Sequence, residues 1–348
     1  MIVTKITLKQ FRSHHKKTFE FGPTTIIIGK NTAGKSNILE ALYVLSHGTS
    51  FRAARDADMI ENGYEFARIE GQVKDTTDST NLATILALQN NYLSKKYLVN
   101  DVPRALRTFS DYLYTVLFTP QDIEIVTASP GGRRRYIDSI LSKSHKEYRV
   151  AFSRYEKALR QRNRMLSDMK NGRKTYQQGD FEFWEKLLIE HGTTIHEFRR
   201  GFVEYVNGSQ KQIFDFEMHY DHSIISIERL FKYHFEERAA GVTLVGPQRD
   251  DFQFFYANTK QEVKEYGSRG EQRLTVLQLK LLEIEYLKAR TGAIPVLLLD
   301  DIFSELDNEN IDKIYHFLEG QQTIITTTHK EFVPAKILKQ GDLKIIEL

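Results

Sequence analysis

The segment Gly29-Lys30-Asn31-Thr32-Ala33-Gly34-Lys35-Ser36 constrains this chain more than any other. It fits G-x-x-x-x-G-K-[ST], and its flanks match what that motif needs. The β-branched apolar run Thr25 to Ile28 precedes it, and Ile38, Leu39, Ala41, Leu42 and Leu45 recur at helical spacing behind it. Strand, glycine loop and helix make half of a βα unit, so an α/β fold with a parallel sheet is expected. In such a loop the backbone N–H groups cradle phosphates and the helix N-terminus adds its positive end. Lys35 would reach the β- and γ-phosphates, and the Ser36 hydroxyl would bind Mg²⁺.

A second apolar run, Ile294 to Leu299, ends on Asp300 and Asp301. Many strands end in Asp, but beside a phosphate loop the pair gains meaning: Asp300 would hold Mg²⁺ directly or through water, and Asp301 would orient or deprotonate the attacking water. Thr323 to Thr327 reads as another central strand, and His329 beyond it could reach a γ-phosphate, although a histidine at a strand end is more often a hydrogen-bonded turn residue. Ser268-Arg269-Gly270-Glu271-Gln272 precedes a helix carrying Leu274, Leu277, Leu281 and Leu282. Ser268 with Glu271 reads as a capping box, and the exposed N–H groups of that turn also suit an anion, so the two readings are compatible.

Residues from about Phe66 to Leu98 read as short strands with polar turns. From Arg133 the period becomes helical: Tyr148, Phe152, Tyr155, Leu159 and Leu166 nearly follow a 4-3-4 spacing that Arg162 interrupts. After a polar connector, Trp184, Leu188, His191, Ile195, Phe198 and Phe202 repeat the pattern. These predict an antiparallel helical hairpin with a coiled-coil-like seam, or else two amphipathic helices on a globular core. Residues 131–174 hold fourteen Lys/Arg against four acids, so a chain of net charge +3 has one strongly basic segment and an otherwise mildly acidic surface. That asymmetry predicts a polyanion contact at Arg133, Arg134, Arg135, Arg160, Arg162 and Arg164, with an intramolecular anchor as the alternative for the first three.

Cysteine is absent, which excludes disulfides, thiolate zinc, iron–sulfur clusters and cysteine nucleophiles. No apolar run approaches the ~18 residues of a membrane span. Charges at Lys5, Lys9 and Arg12 leave no signal-peptide core, so a cytoplasmic location is the simplest expectation.

The order phosphate loop, Ser-x-Gly-x-Gln, apolar-Asp-Asp, Ser304-Glu305-Leu306-Asp307, His329 resembles the ABC-type ATPase heads of the SMC and RecF group. Within that group the chain is most similar to the RecF family, through FRSH near Arg12, SNILEALYVLS, FTPQDIEIV, SPGGRRRYID, ALRQRNRML, GPQRDD and LLLDDIFSELD. The resemblance implies an ABC-type P-loop ATPase head built from both chain ends, residues 1–115 and 241–348, with an inserted, mainly helical arm over 116–240. It implies ATP and Mg²⁺ as ligands, weak ATPase activity, ATP-dependent homodimerisation on DNA, and support of recombinase loading at gapped DNA, fork repair and the SOS response. RecR-like mediator proteins would be partners, and no membrane is involved.

By motif, Gly29 to Ser36 is Walker A, followed by Asn37, and Asp300-Asp301 is Walker B. Ser268, Gly270 and Gln272 belong to the signature that acts in trans; Ser304, Glu305 and Asp307 form the D-loop; His329 is the switch histidine. Gln121 stands at the Q-loop position and Arg12 is a further nucleotide contact. Lys35, Asp301 and His329 would carry the catalysis. There are departures. Thr32 stands where the family usually has glycine, Lys30 replaces a usual proline, and Gln248 replaces a histidine. A β-branched Thr32 would have to adopt the loop's geometry. Competing readings are a transporter ATPase subunit, an SMC-like head with another partner, and a DNA-binding module whose loop is vestigial. Only 232 positions separate Ser36 from Ser268, too few for a very long coiled coil.

Overall fold

Two sheets and one helix organise the first of two units, residues 1–122 with 283–348. The structure, a computed structural model, describes residues 1–75, 78–90, 92–304, 320–339 and 341–348. In this unit β1 (Ile2–Phe11), β2 (His14–Glu20), β4 (Phe66–Lys74), β5 (Ser79–Gln89), β6 (Tyr92–Val99) and β7 (Val102–Arg104) form an antiparallel sheet in the order β2-β1-β4-β5-β6-β7. A parallel sheet in the order β13-β3-β12-β11-β8 joins β3 (Thr24–Ile28), β8 (Thr115–Phe118), β11 (Val296–Asp300), β12 (Thr323–Thr327) and β13 (Leu343–Glu347). Val296 to Leu299 are buried without alternation, as a central parallel strand covered on both faces requires.

Helix α1 (Lys35–His47) joins the sheets into one core. Its Ile38, Leu39, Leu42 and Leu45 share a cluster with Ile6 and Leu8 of β1, Ile69 of β4, Leu298 of β11 and Ile324 of β12. The buried Gln322 ties the two chain ends: its amide donates to Val3 O at 2.7 Å and to Gly22 O at 3.0 Å, and accepts from Val3 N at 2.7 Å. Both chain ends thus build one α/β body, as the sequence leads one to expect. Among the described residues no helix is long and apolar enough to cross a membrane.

The second unit, residues 123–282, is mainly helical. It contains α2 (Pro130–Ser144), α3 (Lys146–Lys170) and α4 (Gln178–Gly208), the antiparallel pair β9 (Phe216–Asp221) and β10 (Asp251–Tyr256), and the start of α5 (Arg269–Thr291). Three contacts fix α3 and α4 as an antiparallel hairpin. The rings of Tyr148 and Phe198 lie 5.8 Å apart, the Cβ that Gly192 lacks would sit 3.2 Å from the Tyr155 ring, and Arg162 pairs with Glu185 at 3.0 Å. Arg162 interrupts the apolar seam because it is filled by ions: its buried guanidinium also meets Glu237 at 2.7 Å and donates to Thr243 Oγ1 at 2.9 Å. Further along α4, buried Arg199 donates to both Asp138 oxygens, to Asp250 Oδ2 and to Pro247 O. Gln248, the departure from the family's histidine, accepts a hydrogen bond from the Tyr155 hydroxyl and donates to Val245 O at 2.8 Å.

The division between units differs from the expected 1–115/241–348 and 116–240. Residues 241–282 belong with the helical unit because β10 pairs along its whole length with β9, while Thr243 and Asp250 hold the hairpin arginines. Residues 116–122 stay with the head because β8 pairs with β11.

Candidate nucleotide site

Ligands of open α/β sheets sit beyond the carboxyl ends of the strands. Here β3 runs into the glycine loop, β11 ends on Asp300, and β12 lies hydrogen-bonded between them, with Thr326 opposite Asp300 and Thr327 opposite Ile28. The cleft at that edge, about 370 Å³, is lined by Lys35, Ser36, Asn37, Gln121, Asp300 and Asp301, with Ser13, Asn31, Thr32, Gly34, Arg52 and Pro120 around them. Lys35 is buried and its ammonium donates to the loop carbonyls of Gly29 at 2.6 Å and Lys30 at 3.0 Å. Ser36 Oγ donates to Asp300 Oδ1 at 2.9 Å, and Thr326 Oγ1 donates to the same oxygen at 2.6 Å. The two residues expected to share one cation, 264 positions apart, are therefore in direct contact.

Two loop residues carry the geometry. Gly34 has φ +94°, and a Cβ there would come within 2.8 Å of the His14 ring, so glycine is required. Thr32 has φ +75°, a conformation that is a genuine outlier for a β-branched residue. The sequence expectation that Thr32 must accept glycine-like geometry is met at the cost of strain. Thr32→Gly should relieve it: against about 1–3 kcal/mol of strain stands the greater freedom glycine gives the unfolded chain, leaving a net gain of about 1 kcal/mol. A thermal midpoint raised by about 2–4 °C is expected, and a lowered midpoint would contradict the strain argument.

Beside the loop lies an arrangement the sequence reading passed over. Glu40, fully buried on α1, accepts from Arg12 Nε at 2.9 Å and Nη2 at 2.6 Å, from Ser50 Oγ at 2.5 Å and from Arg52 Nε at 3.0 Å. Burial alone would push its carboxyl up, but the donors from Arg12, Ser50 and Arg52 outweigh that and hold it below the usual glutamate range. Arg12 also donates from Nη1 to Asp58 O at 2.6 Å. Arg52 donates from Nη2 to Asn37 Oδ1, and Asn37 Nδ2 donates to Ser13 Oγ at 2.8 Å. The signal was present: an acid among Ile38, Leu39, Ala41 and Leu42 on a core-facing helix demands a cation nearby.

The remaining expected residues are placed less uniformly. Asp301 lines the cleft with φ +50°, its N–H directed to Thr326 O at 3.1 Å. His329 follows β12 but is exposed, with its ring edge-on to Phe332 at 5.6 Å and outside the cleft lining. Ser304 ends a 3-10 turn from Ile302, while Glu305 and Asp307 lie outside the described residues. Ser268 and Gly270 are exposed in the helical unit, where Ser268 forms the expected capping box: Glu271 N donates to Ser268 Oγ at 3.3 Å and Ser268 N to Glu271 Oε2 at 2.9 Å. Gln272 is buried instead, its amide donating to Lys264 O and Gly267 O at 3.1 Å each, which holds the turn in place.

The basic segment divides. Arg133 is buried, pairs with Asp251 at 2.7 Å and donates to Ala128 O at 2.7 Å; Arg162 is buried among Glu185, Glu237 and Thr243. Both guanidinium groups are committed to the fold of the helical unit, which corrects their assignment as polyanion contacts. The anchor of Arg133 is within that unit rather than on the head. Arg134 is half-buried and donates to Asp250 O at 2.5 Å. Arg135, Arg160 and Arg164 are exposed.

Comparison with known proteins agrees with this fold. The model of the RecF/RecN/SMC N-terminal domain family matches residues 2–340. The DNA replication and repair proteins RecF of Bacillus thuringiensis (strain Al Hakam) and Bacillus cereus (strain AH187) are each 32% identical over 365 aligned positions, covering 98% of this chain and 96% of theirs. A solved structure described as the recombination mediator protein RecF–ATP in the RecFOR pathway superposes with a TM-score of 0.87 at 30% identity, over 95% of this chain and 93% of that one. On the fold, the loop and these likenesses together, the chain belongs to the RecF/RecN/SMC N-terminal domain family and, within it, to the RecF proteins of DNA replication and repair.

Proposed function

We propose that this protein is a cytoplasmic, ATP-binding and DNA-binding recombination mediator that dimerises when ATP is bound, hydrolyses ATP slowly, and supports recombinase loading at gapped DNA with RecR-like partners, in fork repair and the SOS response. The observation that carries the reading is the Ser36–Asp300 contact at 2.9 Å beside the Lys35 ammonium, which brings two distant motifs into one cleft of about 370 Å³. The description of the similar solved structure as RecF–ATP supports the choice of nucleotide.

A serine hydroxyl and a carboxylate are hard oxygen donors, so Ser36 and Asp300 fit Mg²⁺ and would hold it. Bound there, the ion would supply positive charge that offsets the negative charge of the phosphates. Lys35 exchanges its two loop carbonyls for phosphate oxygens, and Gln121 lines the same cleft. Asp301 Oδ accepts the proton of the attacking water. Aspartate is one methylene shorter than the glutamate that ABC ATPases commonly place at this position, after the Walker B aspartate, which positions a water poorly and makes turnover slow. An ATPase assay with and without DNA tests the reading: stimulation by DNA of a slow basal rate is expected, and the absence of any hydrolysis would leave a binding module.

DNA contact falls to the exposed part of the basic segment. Charge reversal at Arg135, Arg160 and Arg164 together should weaken DNA binding and flatten its salt dependence, by about one unit of slope per lost phosphate contact. The three lie away from the buried ion networks, so the fold should persist. Unchanged affinity and slope would move the contact elsewhere.

A further inference from the structure

We propose that His14 is a positioning residue for nucleotide binding: it holds the phosphate loop through a hydrogen bond to Gly34 that persists when Lys35 turns to phosphate. This rests on the reading that the cleft binds ATP. A two-residue turn, Arg12 and Ser13, joins β1 to β2 and leaves Phe11 opposite His14. The His14 ring is thereby set against the end of the loop. It is buried, edge-on to Phe19 with centroids 5.6 Å apart, and its Nε2 lies 3.1 Å from Gly34 O. A carbonyl oxygen only accepts, so Nε2 carries the proton. Burial pushes the ring's pKa below its usual value, against the raising effect of the Gly34 carbonyl, so it is the neutral imidazole that donates.

Gly34 is where such a hold matters. Two left-handed residues, Thr32 and Gly34, bracket Ala33, so the turn that aims the loop N–H groups is strained at one end and tightly fitted at the other. A Cβ on Gly34 would meet the His14 ring at 2.8 Å and Ser13 Oγ at 2.9 Å, which shows how closely β2 and its turn press on the loop. Before nucleotide arrives, the Lys35 ammonium staples the loop across the carbonyls of Gly29 and Lys30. Those two bonds are given up when Lys35 meets a phosphate. The His14 bond is not, because it reaches Gly34 from the sheet and His14 is outside the lining of the cleft. The Gly34 carbonyl also accepts from Asn37 N at 3.1 Å, so removing the imidazole donor would leave that oxygen partnered while releasing the loop from β2. A loop held in its bound shape need not be ordered when phosphate binds, and that saving appears in affinity for ATP and ADP alike.

Titration of the full chain with Mg-ATP and with Mg-ADP, well below the thermal midpoint of each variant, tests this, with Lys35→Ala as the loop control. His14→Phe keeps an aromatic ring and removes the donor; it should weaken both nucleotides by the same factor, about fivefold or more. His14→Gln returns an N–H and should recover part of that affinity, which a space-filling role for the ring would not allow. The wild type offers a readout that needs no variant. From the nitrogen shifts of isotopically labelled histidines, His14 should show the Nε2–H tautomer with and without Mg-ATP, and an Nδ1–H tautomer in either state would overturn the inference. If Lys35→Ala loses nucleotide but His14→Phe binds ATP and ADP as the wild type does, the cleft reading stands and this inference falls. Equal losses in His14→Phe and His14→Gln would assign the effect to packing and overturn it as well. A wild-type protein that binds neither nucleotide would remove both readings.

Discussion

Lys35→Ala is expected to lower ATP affinity by about a hundredfold, the equivalent of a charge-assisted contact to phosphate, while leaving the fold intact. The lysine is buried against the carbonyls of Gly29 and Lys30, so it already occupies the position that a β- or γ-phosphate oxygen would contest. Its removal costs two hydrogen bonds to a loop that is otherwise held by the N–H groups of Gly29 and Ala33, which donate to Thr327 O and Lys30 O. Isothermal titration of this variant with Mg-ATP checks the expectation. Affinity equal to that of the wild type would show that the loop is a glycine turn and not a phosphate cradle.

What the sequence made legible here followed from local pattern. The loop announces itself because strand, glycines and helix are contiguous from β3 to α1, and β11 and β12 because unbroken apolar runs are what a parallel sheet covered on both faces demands. The hairpin seam was legible at Tyr148, Tyr155, Leu188, Ile195 and Phe202, all buried. The failures involve partners far away in the chain. Nothing within reach of Arg133 marks it as buried, since Asp251 lies 118 positions on, and Arg162 looks like one more cation in a basic run until Glu185, Glu237 and Thr243 close around it. The unit boundary was displaced for the same reason, because the pairing of β10 with β9 is non-local. Glu40 was readable as an acid on an apolar face, but its two arginines were not, because Arg12 and Arg52 approach it from opposite sides in sequence.

The second large effect concerns assembly. In an ABC-type dimer the turn at Ser268 and Gly270 would cap the nucleotide held by another copy, and a two-fold, self-complementary interface would enclose two identical sites. Both residues are exposed at the start of α5, and the capping box with Glu271 leaves the turn ordered and available. If the γ-phosphate is part of that interface, ATP binds the dimer better than the monomer and draws the equilibrium towards it by linkage, whereas ADP does not. Ser268→Arg should therefore block dimerisation and turnover together while sparing ATP binding by the monomer. Loss of the cap would cost about 1 kcal/mol. Ser268→Asp keeps a capping carboxylate while repelling the phosphate, and should fail in the same way.

Sedimentation of Asp301→Asn with and without Mg-ATP decides whether bound ATP drives assembly. That variant should bind ATP without turning it over, since Asp301 lines the cleft but is neither in the phosphate loop nor one of the two oxygen donors that meet at Ser36 and Asp300. A monomer is expected without nucleotide and a stable dimer with Mg-ATP. A monomer in both conditions, with ATP demonstrably bound, would contradict it.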